Sequence, residues 1–144
     1  DAYLPESYIA EENLRVEAYK KIILARSPEG LDEVALELAD RFGPVPEPVD
    51  ALLGIARLRL LAKVLGIKEV RQQYGKVRVS PIRVPKHQEV VLSMSYKNLL
   101  FKPEREYFQV VKVEASNIIP FMLSLFNDIM SALSSRDDVS TKAR

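Results

Sequence analysis

Ser27-Pro28-Glu29-Gly30-Leu31-Asp32-Glu33-Val34-Ala35-Leu36-Glu37-Leu38-Ala39-Asp40-Arg41-Phe42-Gly43-Pro44 is the stretch that decides the fold. Its first three residues make a helix start. A serine hydroxyl caps free amides, proline suits the first helical position, and a carboxylate suits the positive end of the helix dipole. Its last two residues make a stop, because glycine tolerates a left-handed cap and proline blocks continuation. In between, Leu31, Val34, Ala35, Leu38 and Phe42 recur at spacings of three and four, so one side is apolar. Taking Leu31 as zero and about 100° per residue, Glu29, Glu33, Glu37 and Asp40 fall at roughly 160° to 240°, on the opposite side. An amphipathic helix with one acidic face is predicted here.

The rest of the chain is read outward from it. Residues 1–10 contain Pro5 and no helical period, and are expected to be extended. A first helix is predicted over Glu11 to Ala25, with Val16, Tyr19, Ile22 and Ile23 on its inner side and Glu17, Lys20 and Lys21 facing away. After the proline-rich turn Gly43 to Pro48, a third helix is predicted over Glu47 to Leu65, ended by Gly66. Its buried face is expected to be Leu52, Leu53, Ala56, Leu60 and Val64. The period then changes. Ile67 to Arg71 and Lys76 to Val79, around Gly75, predict a β-hairpin. Glu89 to Met94 fits a strand or a short helix and is read as a short helix opened by Pro85. Tyr107 to Val113 predicts a strand, and Ile118 to Leu133 a final helix with Phe121, Met122, Leu125 and Ile129 on its apolar side. The expected class is α+β: N-terminal helices packed with a small, mostly antiparallel sheet and a C-terminal helix. One domain over residues 1–133 is expected, with 134–144 a frayed tail.

Composition narrows the function. The chain has 144 residues, 47% apolar and 28% charged, with a net charge of +1 and no cysteine. Disulfides, thiolate catalysis and thiolate zinc sites are excluded. The lone histidine, His87, lacks partners for a typical metal site and reads as a surface residue. Gly75-Lys76 fails as a phosphate loop: Val70 stands where the leading glycine belongs, and Val77 where Ser or Thr would hold magnesium. No serine has the Gly-x-Ser-x-Gly surroundings of an exposed nucleophile. No catalytic residue, metal site or cofactor is therefore expected. No run approaches the roughly 18 apolar residues of a membrane span, since Ile118 to Phe126 is short and holds Pro120. The start, without methionine, basic residues or an apolar run, is expected to continue upstream and reads as no signal peptide; a cytoplasmic location is expected.

Two surfaces remain. The acidic helix face reads either as a solvated outer face or as a docking face for a basic partner. Leu36, at about 140° and beside the carboxylates, favours the second. Glu33, Leu36, Glu37 and Asp40 are the candidate interface. The basic residues Arg57, Arg59 and Lys63 of the third helix, with Arg78, Arg83 and Lys86 around the hairpin, are the alternative, a DNA-binding surface. Arg57 and Arg59 point in different directions and no aromatics interleave with them, so nucleic acid is not the expected partner.

Leu4-Pro5-Glu6-Ser7-Tyr8-Ile9, Arg15-Val16 with Tyr19-Lys20-Lys21-Ile22, Glu37-Leu38-Ala39-Asp40-Arg41-Phe42-Gly43-Pro44-Val45-Pro46, and Leu52-Leu53-Gly54-Ile55-Ala56-Arg57-Leu58-Arg59 with Leu65-Gly66-Ile67 occur in that order. Together they resemble the C-terminal domain of transcription-repair coupling factors, the TRCF or Mfd family. The resemblance covers about residues 4–70, with Ser80-Pro81-Ile82 as a later counterpart. It implies a non-catalytic piece of an ATP-driven DNA translocase that displaces stalled RNA polymerase and recruits UvrA. It further implies intramolecular docking on the N-terminal UvrB-like module, masking its UvrA-binding surface. The family's acidic contacts to that module match Glu37 and Asp40. UvrA and RNA polymerase would be partners only through the parent.

Overall fold

The computed structural model describes the backbone of residues 2–142 and the side chains of residues 2–134. The elements follow in the order α1 (Glu12–Leu24), α2 (Pro28–Phe42), α3 (Glu47–Leu65), β1 (Glu69–Gln73), β2 (Lys76–Ser80), α4 (Lys86–Ser95), β3 (Leu99–Lys102), β4 (Tyr107–Val111) and α5 (Ile118–Lys142). They group into two compact units, residues 1–60 and 61–144.

In the first unit, α2 begins and ends as its caps dictate. Ser27 is extended and its hydroxyl accepts the Gly30 N–H at 3.0 Å. At the other end Gly43 takes φ +94°, a conformation open to glycine, and donates to the Ala39 carbonyl. Leu31 and Leu38 are buried in a core shared with Ala18 and Ile22 of α1, Val49 and Leu53 of α3, and Leu4 and Ile9 of the N-terminal segment. That segment is tied down by polar groups. The Tyr19 hydroxyl accepts the Leu4 N–H at 2.9 Å, and Arg15 donates to the carbonyls of Ile9 and Ala10. The Tyr8 hydroxyl lies 3.0 Å from the Leu38 carbonyl and 2.9 Å from that of Gly43, so its proton is shared between two acceptors at the end of α2. Burial raises its pKa. The Tyr8 ring meets Phe42 edge-on at 5.9 Å.

Three expected core positions are corrected. Val16 and Ile23 are exposed, because α1 is buried through Ala18 together with the expected Ile22. A small alanine permits close helix approach, which a ranking by apolar size overlooks. Val64 is exposed as well, the buried residue near that end of α3 being Leu61.

The second unit is built on a four-stranded antiparallel sheet of order β1-β2-β4-β3. The β1–β2 hairpin turns at Tyr74-Gly75, with φ +53° and +73°, the two positive values of a type I′ turn. The short-helix reading of Glu89 to Met94 matches α4, whereas β3 was not anticipated. One sheet face carries the buried residues Val77, Val79, Phe108, Val110 and Leu99. Met122, Leu125, Phe126 and Ile129 of α5 are buried too, and Tyr96 after α4 meets Phe121 of α5 edge-on at 5.5 Å.

Helix α5 departs from expectation in two ways. It runs to Lys142 rather than Leu133, and the frayed-tail reading of 134–144 falls on side chains and a terminus outside the described residues. By length and composition Ala115–Ser134 is also long and apolar enough to cross a membrane, which corrects the count made on uninterrupted apolar residues. Pro120 does not interrupt it, since a proline in the first turn removes no helical hydrogen bond. Met122, Leu125, Phe126 and Ile129 form its buried stripe, while Ile118, Ile119, Phe121, Leu123, Met130 and Leu133 are half-buried.

Tyr8→Phe should lower unfolding free energy by about 1 kcal/mol, the worth of a single net hydrogen bond. Phe108→Ala, emptying a fully buried site, should cost about 3–5 kcal/mol. Urea unfolding of both variants measures the contrast.

Candidate docking face on helix α2

The helix places Glu33, Leu36, Glu37 and Asp40 on one side, but not in one state. Glu33 and Asp40 are exposed, and Leu36 is 71% exposed. Glu37 is half-buried and engaged. Its carboxylate accepts from Lys21 Nζ of α1 at 2.7 Å, and Arg41 Nη1 lies 3.5 Å away. Lys21 also lies 3.6 Å from Glu17, and the Arg41 guanidinium sits 5.0 Å over the Phe42 ring. Among the described residues no salt bridge involves Glu33 or Asp40.

These contacts shift two titrations. The hydrogen bond from Lys21 chiefly holds the Glu37 carboxyl below the usual carboxylate range, helped by the charges of Lys21 and Arg41 and opposed by burial. The same bond raises the Lys21 pKa. The acidic face thus has a fixed member, Glu37, and two unpaired members, Glu33 and Asp40.

Sequence reasoning missed Lys21, which it placed only as outward-facing, and Leu24, which is 71% exposed one turn further along α1. Leu24's signal was present: an apolar residue in the last turn, outside the expected inner stripe. The engagement of Glu37 had no local signal, because Lys21 is sixteen residues away.

The basic residues of the alternative surface fall in both units. Arg57 pairs with Asp32 of α2, Arg83 with Glu106, and Lys86 with Glu89 at 3.6 Å, while Arg59 and Lys63 are exposed. His87 is exposed in the first turn of α4. Among the described residues no group of three or more His, Cys, Asp or Glu could hold a metal ion.

Residues 1–90, which include the whole of this face, match the family model of the TRCF domain. The chain belongs to the TRCF family. It is 38% identical over 111 residues to the transcription-repair-coupling factor of Mycobacterium bovis, covering 76% of this chain and 9% of that protein. It is 45% identical over 67 residues to that of Escherichia coli, covering 46% of this chain and 6% of that one. This TRCF chain therefore spans less than a tenth of the length of these curated relatives. The crystal structure of the C-terminal domain of a transcription-repair coupling factor superposes with a TM-score of 0.69, over 94% of this chain and 90% of that one. At 23% identity that likeness shows the fold.

The depressed Glu37 pKa has a testable consequence for this TRCF domain. A lowered folded-state pKa contributes stability that is complete above the ordinary carboxylate value of about 4.3 and lost as pH falls through the folded value. The stability gap between wild type and Glu37→Gln should be constant near neutrality and close below about pH 4. Urea unfolding across that range measures it; a gap independent of pH would remove the ionic role of Glu37.

Proposed function

We propose that this chain is a non-catalytic regulatory domain of a transcription-repair coupling factor. It docks through the outer face of α2 onto the N-terminal UvrB-like module of the same protein, and masks the surface that UvrA binds. The supporting observation is the pairing of a highly exposed leucine, Leu36, with the free carboxylates Glu33 and Asp40 on one helix side. Carboxylates standing in water on a helix lack the enclosed surroundings that separate pKa values for acid–base catalysis. They suit charge-complementary contact with a basic partner instead.

Glu37 has a different part in this reading. Held by Lys21 and Arg41, it orients the face more than it adds free charge. ATP hydrolysis, DNA translocation and the contacts with RNA polymerase belong to the rest of the parent, which acts in the cytoplasm. A latch of this kind shifts populations by its differential affinity for the closed state, so a modest contact is sufficient.

Glu33→Arg with Asp40→Arg leaves the Lys21–Glu37–Arg41 cluster intact. In trans with the N-terminal module, this double variant should bind at least about tenfold more weakly than wild type by calorimetry, consistent with loss of about 1.4 kcal/mol. In the full-length protein it should tighten UvrA binding. Wild-type affinity in both assays would reject the face.

A further inference from the structure

The outer face of the sheet in the second unit carries a cationic surface that strand pairing assembles. Arg71 of β1 stands opposite Arg78 of β2, and Arg78 opposite Gln109 of β4. Gln73 opposes Lys76, and at the far edge Lys102 of β3 opposes Tyr107. The four strands hold a single carboxylate, Glu69, which pairs with Arg71 at 2.6 Å. The Arg78 guanidinium lies 4.3 Å over the Tyr107 ring. Beside the hairpin, Arg71, Gln73, Tyr74, Lys76, Arg78 and Gln109 line a hollow of about 220 Å³.

Two of these choices work against the sheet itself. Like charges directly opposite one another destabilise a ladder, yet Arg71 faces Arg78. The first central position of a type I′ turn favours Asn, Asp or Gly, yet Tyr74 occupies it at φ +53° and is 91% exposed. Both choices project outward the groups that an anionic, aromatic polymer engages.

We propose that this face binds single-stranded nucleic acid. Arg71, Lys76 and Lys102 meet phosphates, where their charge releases counterions. Tyr74 and the Arg78–Tyr107 stack offer surfaces for bases, and the amides of Gln73 and Gln109 reach base edges. An exposed sheet face offers its rings to base faces, which a duplex keeps stacked inside; this favours a single strand over a double one. Of the basic residues singled out in the sequence the surface shares only Arg78, and Arg71, Lys76 and Tyr107 converge with it only through the register. It lies in the other unit from the α2 face and does not rest on that reading.

Fluorescence anisotropy of the whole chain with a labelled oligothymidylate of about 15 nucleotides tests this, with a duplex of equal length alongside. Saturable binding is expected at about 50 mM salt, with a log–log salt slope of about −2 to −3 for three or four neutralised phosphates. The single strand should bind more tightly than the duplex. Arg71→Ala/Lys76→Ala/Arg78→Ala should weaken binding at least about tenfold and flatten the slope. Tyr74→Ala, at an exposed tip, should weaken it about tenfold with an unchanged melting curve. Absence of saturable binding, an unaffected triple variant or duplex preference would overturn the proposal. Equal displacement by polyglutamate would also overturn it and point to an acidic protein segment.

Discussion

The burial of Leu31 and Leu38 sets the orientation of α2, and the character of the first unit follows from it. The two leucines are two helical turns apart, so they lie nearly in line and enter the core together. Each contributes about 1.5–3 kcal/mol by leaving water. Turning the helix to bury Leu36 would expose both, so Leu36 is held outward by the energy of its neighbours. The stop at Gly43 and the Tyr8 hydroxyl then fix where the face ends. The carboxylates inherit their position from apolar packing on the other side of the helix.

Much of this was legible because it is local. The Ser27-Pro28 start, the Gly43 and Gly66 stops and the bounds of α3 depend on residues within a turn of one another. The failures depend on partners distant in sequence. Val16 and Ile23 looked like core until α1 met its neighbours through Ala18 and Ile22. Strand β3 has four residues, Leu-Leu-Phe-Lys, with no alternation to announce it, and exists through its ladder with β4. The candidate face was legible as a face, since helical period places its residues. The state of Glu37 was not, because Lys21 belongs to another helix.

The second unit distributes its chemistry by the opposite rule. In the ladders, paired residues share a side, and successive residues switch sides. Burying Val77, Val79, Phe108 and Val110 therefore forces Lys76, Arg78, Tyr107 and Gln109 outward together. Their convergence is a by-product of register and needs no local motif. What register does not require is that the outward set hold four cations, Arg71, Lys76, Arg78 and Lys102, against the single carboxylate of the strands, Glu69. That composition is the separate feature for which ligand binding accounts.

The engagement of Glu37 also changes how the proposed latch divides its energy. A carboxylate already paired with Lys21 and Arg41 would have to surrender those partners to gain new ones, so it adds little net affinity. The free acids remain, and exposed ion pairs contribute about 0.2–1 kcal/mol each. Leu36, and Leu24 if the partner reaches it, each have about 1.5–3 kcal/mol available on full burial. The apolar contacts therefore carry more of the affinity, while Glu33 and Asp40 govern approach and orientation. Such a latch is weakly salt-dependent once closed and strongly salt-dependent in its rate of closing, because screening acts on the encounter of charges before the leucines are covered.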